Sequence, residues 1–328
     1  EIICIHLSIN SSRLIISFHE SQTLSFRMEI SFEPNFSLVE RWVSVFILCH
    51  KLAGSVTKRL SNPSGAFKPL RILHLSDNFI VINKDPDVLI NSNDPEVKTS
   101  LHVSLCHEFP GLANPSLRHS FHFVHRLDYV TSGVIVVGLS KKASSAAAAA
   151  FENRLASKFY VALLRGHVSA ELLEINLPIG ELKSEMTGSH RMTVVNDQGT
   201  CVNPRPATTR LLVLERGIYG GYPATKVILK PITGRRHQLR VHCAHIGHTI
   251  VGDFTYSCRK DINPERTFLH ALRLTLPNLV ESLDIQTSDP FRSIKAWTLV
   301  EKFNDIGDST FLRLQTSPAV NKSILKIS

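Results

Sequence analysis

One short segment, HRLDYVTSG from His125 to Gly133, carries the makings of a reactive carboxylate. Asp128 follows the cation Arg126 and precedes Thr131, Ser132 and Gly133. A carboxylate near a fixed positive charge keeps its own charge and can serve as nucleophile or base. The same residue types also build ordinary turns, so composition alone leaves both readings open. Phosphotransfer to the aspartate does not fit. The segment lacks the second aspartate of that chemistry, and the apolar run comes after Asp128 instead of before it.

A second segment, ITGRRHQLRVHCAHIGHTIVGD, runs from Ile232 to Asp253. From Arg216 to Gly252 there is no acidic residue, while Lys226, Lys230, Arg235, Arg236 and Arg240 fall in the same window. A glycine turn leading into a helix start with arginines is suited to receive phosphates. His237, His242, His245 and His248 raise the question of zinc, but there is no H-E-x-x-H and no cysteine pair. No metal is expected, and the histidines read as polar packing and partner-facing surface. In a third segment, SKFYVALLRG, Lys158 and Tyr160 stand two apart on a strand and so face one side.

The elements that must position these residues begin near Arg71. RILHLSDNFIVINK reads as two short strands joined at Ser76-Asp77-Asn78. Thr99 to Phe109 has near-helical spacing, capped by Thr99 or Ser100. Val134 to Ser140 is a buried strand. Lys141 to Ser157 is an alanine-rich helix with Phe151 and Leu155 one turn apart. Lys158–Val168, Thr225–Ile232 and Thr267–Pro277 are strands, and His237–Gly247 is a helix closed by glycine. Many strands, few helices and no βα alternation predict an α+β domain with a mixed, mostly antiparallel sheet and flanking helices.

The 328 residues suffice for a large core, and 43% are hydrophobic. A net charge of +9 favours a polyanionic partner, nucleic acid before an anionic membrane. Six scattered cysteines form no CxxC pair and read as reduced thiols of an intracellular protein. No segment has the apolar length of a membrane span. The N-terminal stretch begins at Glu1 and shows no clean period. It reads as a fragment of a longer chain or as translated non-coding sequence, and no function is assigned to it. Residues 1–69 are therefore expected as an extension and linker, ahead of the domain that carries the three segments, 70–303, and a tail, 304–328.

Together, H-R-L-D-x-x-T-S-G, K-x-Y-x-A-L-x-x-G, T-G-R-x-H-Q-L-R-V-H and G-H-x-I-x-G-D, in that order, resemble the RluA-type RNA pseudouridine synthases. The resemblance runs from about Arg71 to Phe303 and is strongest to the animal RNA pseudouridylate synthase domain-containing proteins. Where the family usually has Pro-Ala-Gly after its first strand, this chain has Asp85-Pro86-Asp87. The resemblance implies the pseudouridine synthase fold, with a central RNA-binding cleft, and isomerisation of uridine to pseudouridine in RNA without metal or cofactor. It makes Asp128 the nucleophile or base-labilising carboxylate, kept ionised by Arg240, with Arg235 as the other choice. Whether Asp128 attacks the ribose or the base, or assists elimination, stays open.

Tyr160 would lie against the uracil and take a sugar or base proton. Arg126 would fill the space the extruded base leaves, and Lys158, Arg235, Arg236, His237 and Gln238 would bind RNA. Thr131, Ser132, Gly133 and Gly234 would shape the loops. The partner is ribosomal, transfer or messenger RNA, and the protein is expected to be a monomer. Cytoplasm, nucleus and mitochondrion are equally open. An inactive RNA-binding scaffold or chaperone on the same fold is the alternative.

Overall fold

The computed structural model describes residues 68–316 except 95, 98, 184–190 and 197–198, and the backbone of 4–10, 13–20 and 24–31. The chain divides into two compact units, Glu1–Ala66 with Leu75–Asp77, and Phe67–His74 with Asn78–Ser328. In the first, β1 (Cys4–Asn10), β2 (Arg13–Glu20) and β3 (Leu24–Ser31) form an antiparallel sheet in that order, where the sequence shows no clean period. The expected linker at 61–69 lies almost wholly outside the described residues.

The second unit is built on an eleven-stranded sheet. Its first part holds β4 (Ile72–Leu75), β5 (Phe79–Lys84), β6 (His122–Phe123) and β7 (Ser132–Gly138), followed later in the chain by β8 (Ser157–Arg165) and β9 (Leu172–Asn176). A small separate sheet comes next, from β10 (Ile179–Leu182), β11 (Met192–Val194) and β12 (Cys201–Arg205). The large sheet resumes with β13 (Thr208–Tyr219), β14 (Tyr222–Pro231), β15 (Leu269–Leu276), β16 (Leu283–Gln286) and β17 (Trp297–Lys302). The main order is β17-β13-β14-β8-β15-β7-β5-β4. The β15–β7 pair is parallel, with His270 beside Ser132 and Ala271 beside Gly133, in an otherwise antiparallel arrangement. This is the expected mixed α+β fold.

Alternation along β8 sends its side chains into two cores. Phe159, Val161 and Leu163 pack with Leu212, Leu214 and Phe268, whereas Ala162 and Leu164 pack with Val227, Leu229 and Ile250. Helices cover both faces. The first core also takes Phe311 and Leu314 of α4 (Asp308–Gln315), so the chain after 303 is not merely a tail. The second core takes Leu239 and Cys243 of α3 (Gln238–His245), which is followed by Gly247 at φ +83° as the spacing predicts. Ser100 caps α1 (Leu101–Glu108), accepting from the Val103 amide.

The alanine-rich helix α2 (Lys141–Glu152) packs Ala143, Ala147 and Ala150 against Val134 and Val136. It ends before the expected Ser157. Arg154 adopts a left-handed φ of +57°, and the Leu155 amide turns back to the Ala150 carbonyl. Leu155, expected one turn from Phe151 on the packed face, therefore lies beyond the helix and is exposed. A non-glycine terminator leaves little mark on composition.

Candidate active site

Asp128 opens a turn in which its carbonyl accepts from the Thr131 amide at 3.1 Å. Lys84, at the buried end of β5, sets the position of this turn. Its ammonium donates to the carbonyls of Asp85 (2.8 Å), Val88 (2.9 Å) and Tyr129 (3.1 Å). Burial lowers its pKa to about 8, opposed by the charge of Asp87. A lysine has three N–H donors, so one buried cation fixes three backbone positions, including the peptide after Tyr129.

The approach to Asp128 is fixed by His125. Its Nε2 accepts the Val136 amide at 2.9 Å, just past the two residues that β6 pairs with β7. Burial, with Lys158 adding to it, lowers its pKa to about 3, so the ring is neutral and acts as an acceptor. Beyond the turn, the Ser132 hydroxyl meets His270 Nδ1 at 2.7 Å and accepts from Arg266 Nη2 at 2.6 Å. Gly133 has φ +113°, and a Cβ there would come within 2.2 Å of the Ala271 carbonyl oxygen. Only glycine allows β15 so close.

The opposite wall is the start of α3. Arg240 is 5% exposed and donates from Nε and Nη2 to Asp253 at 2.7 and 2.9 Å, a bidentate pair. Its remaining nitrogen, Nη1, lies 3.5 Å from Asp128 Oδ2. Burial works against the guanidinium charge, but the bonds to Asp253 more than offset it and raise its pKa. Asp253, fully buried, also accepts from the Thr255 and Tyr256 amides at 3.1 Å. The Tyr256 ring is within cation–π range of the guanidiniums of Arg240 (5.0 Å) and Arg191 (5.4 Å). Its hydroxyl meets His237 Nδ1 at 3.0 Å and accepts the Met192 amide of β11 at 3.1 Å.

Between these walls lies a cleft of about 500 Å³. Asp128, Tyr160, Arg240, Arg126, Lys158, Arg235, Arg236, His237, Gln238, Thr131 and Gly234 all line it. Of the predicted set, Ser132 and Gly133 are not on its lining and stand behind it, Ser132 through its hydroxyl bonds and Gly133 through its close backbone pairing with β15. As Asp128's charge partner the geometry selects Arg240, whereas Arg235 Nε bonds to the Pro206 carbonyl. Gln238, expected to contact RNA, is 4% exposed. Its carboxamide accepts from Thr233 Oγ1 and the Arg235 amide and donates to Thr208 O and Thr209 Oγ1, so it holds the loop. Nothing at Gly234 demands glycine, since an added Cβ would meet only Lys158 Nζ at 3.7 Å.

Burial first, and Asp128's charge second, hold the Tyr160 phenol well above its ordinary pKa. It stays an uncharged ring with an O–H. Burial, partly opposed by Asp128, lowers the His237 pKa to about 4. His242 bonds to Thr209 Oγ1 and the Leu177 carbonyl as a buried packing residue. Glu152, exposed at the end of α2, is a second carboxylate on the cleft lining. Among the described residues no group of three or more His, Cys, Asp or Glu could hold a metal, and no helix could span a membrane.

Lys84, His125, Asp253 and Tyr256 support the site in roles that the motif chemistry does not assign. A lysine closing an apolar strand and the aspartate closing G-H-x-I-x-G-D were signals that could have found two of them.

The sequence profile of the RNA pseudouridylate synthase family matches residues 78–245. The RNA pseudouridylate synthase domain-containing protein 1 of Mus musculus is 44% identical over 229 residues, covering 69% of this chain and 74% of that protein. The dual-specificity RNA pseudouridine synthase RluA of Escherichia coli strain K12 is 35% identical over 214 residues, 63% of this chain and 86% of that one. The solved human RNA pseudouridylate synthase domain containing 1 superposes with a TM-score of 0.67 at 37% identity, covering 79% of this chain and 99% of that one. The chain belongs to the RNA pseudouridylate synthase family.

Proposed function

We propose that the protein isomerises uridine to pseudouridine within RNA, with Asp128 as its essential carboxylate. The observation that carries this reading is an accessible aspartate on a pinned turn, 3.5 Å from a buried arginine, in a cleft otherwise rich in Arg and Lys. The glycosidic N1–C1′ bond of the target breaks, the base turns, and a C5–C1′ bond forms. The C5 proton leaves and N1 gains one, so atoms and electrons balance without a redox partner or group donor.

A base paired or stacked in RNA must first be extruded. Arg126, exposed at the cleft edge, suits the vacated position and a phosphate beside it, and Lys158, Arg235 and Arg236 suit further phosphates. Arg240 places a fixed positive charge 3.5 Å from the Asp128 carboxylate, and its bonds to Asp253 keep it in place. Tyr160 offers a neutral ring face and an O–H, and its high pKa speaks against a phenolate base at neutral pH.

Tritium release from C5-tritiated uridine in total cellular RNA tests the reading. The parent is expected to release tritium and Asp128→Asn to release none while still binding RNA. Free uracil instead of pseudouridine would mean hydrolysis, which a second carboxylate such as Glu152 would serve. Binding without release by the parent would favour the scaffold reading.

A further inference from the structure

A second hollow, of about 530 Å³, adjoins the first. The two share the chain from His125 to Asp128 and the pair Arg236 and His237. The rest of the second hollow is different in character. Leu89, Phe123 and Tyr129 line it, together with the carboxamide residue Asn91. Tyr129 directly follows Asp128 and is 50% exposed. Its carbonyl is one of the three gripped by Lys84, so this open ring stands on a fixed backbone.

We propose that this hollow binds the base of an unpaired nucleotide next to the target uridine, with Tyr129 as its stacking surface. The inference rests on the RNA-substrate part of the proposed function. Three observations converge on that occupant. The hollows share a wall, so a ligand filling both must be continuous across Arg126 and Arg236. Consecutive nucleotides are joined by one phosphate, and both arginines are exposed on the shared rim. An exposed aromatic beside an apolar wall suits a nucleobase face, because stacking uses the π-surface of any base. Asn91 carries both a donor and an acceptor, which lets the hollow prefer one base edge over another.

Stacking and phosphate contacts separate by salt. Stacking carries no counterion release, whereas each phosphate contact adds to the salt slope. The probe is 5′-labelled heptauridylate, titrated against the full chain and its variants at several salt concentrations. Tyr129→Ala is expected to weaken binding about 5- to 50-fold with an unchanged salt slope. Tyr129→Phe restores the affinity, and Arg126→Ala instead lowers the slope by about one. The unfolding midpoint of Tyr129→Ala should match the parent's.

Unchanged affinity in Tyr129→Ala overturns the proposal. So does a Tyr129→Phe variant as weak as the alanine one, or failure of the parent to bind the heptamer. Tritium release measured alongside separates this from the isomerase reading. A Tyr129 effect on binding with no release by the parent leaves the hollow standing and removes the isomerase. Release by the parent with no Tyr129 effect on binding does the reverse.

Discussion

The two walls of the cleft are held in opposite ways. The Asp128 wall is held by its backbone, through Lys84 on the Tyr129 carbonyl, His125 on the Val136 amide and the parallel pairing of Ser132 and Gly133 with β15. The Arg240 wall is held by side chains, through Asp253 at two points, Gln238 at four and Tyr256 by its ring and hydroxyl. Among the described residues, backbone support leaves the Asp128 carboxylate with a 3.5 Å side-chain contact to Arg240 and open to a substrate. Side-chain support keeps Arg240 at one place and in one charge state. One wall presents the proposed reactive group and the other presents a fixed field.

The comparison breaks most sharply between two aspartates. Asp128→Asn should lower turnover on the order of 10³-fold or more and leave the urea midpoint near the parent's. A large stability loss in that variant would make Asp128 part of the scaffold. Asp253→Asn should cost about 3–5 kcal/mol of stability as well as activity, because it leaves Arg240 buried beside a neutral partner. Denaturant unfolding and turnover on the same preparations decide between the two patterns.

Lys84→Met tests the backbone wall. Losing the ammonium leaves carbonyls without their donor, at about 2 kcal/mol, and loosens the turn. A shift of the reacting carboxylate should reduce kcat about a hundredfold while KM changes little. A rise in KM alone would place Lys84 in RNA binding.

Acid sharpens the comparison further, since neutral histidines support both walls. The unfolded ring titrates near 6.5, whereas folded His125 and His270 sit near 3 and His237 and His242 near 4. Between those values the unfolded chain binds more protons, so stability should fall as pH drops from about 6.5 toward 4. His125→Gln should flatten that dependence by roughly 1 kcal/mol per pH unit, measured by urea unfolding at pH 5 and 7. The smallest effect belongs to the rim, where Arg236→Ala should weaken RNA binding a few-fold and lower the salt slope by about one.

The sequence made the strands around the site legible because apolar runs bounded by turn residues have few other uses. The resemblance carried by the ordered motifs also implied one site for Asp128, Tyr160 and Arg240, which the cleft brings together. What the sequence hid was the support. Asp253 and Tyr256 act across the fold on Arg240, and no local period marks a partner met only in three dimensions. Gln238 shows the converse error, since a polar residue among arginines looks like surface until its four bonds close inward. The end of α2 was missed for a local reason, because a left-handed arginine leaves no compositional sign.

The place of β15 between β8 and β7 also sets an order of events. β7, which follows the Asp128 turn, reaches β8 only through residues 269–276. Its register partners are 138 positions away for Ser132 and His270. Contacts so distant along the chain form late and slowly. During synthesis the Asp128 turn and the Arg240 helix would both emerge well before the strand that unites them. The nascent chain therefore carries the Asp128 turn apart from the Arg240 helix, and the proposed site is completed in one step as β15 inserts.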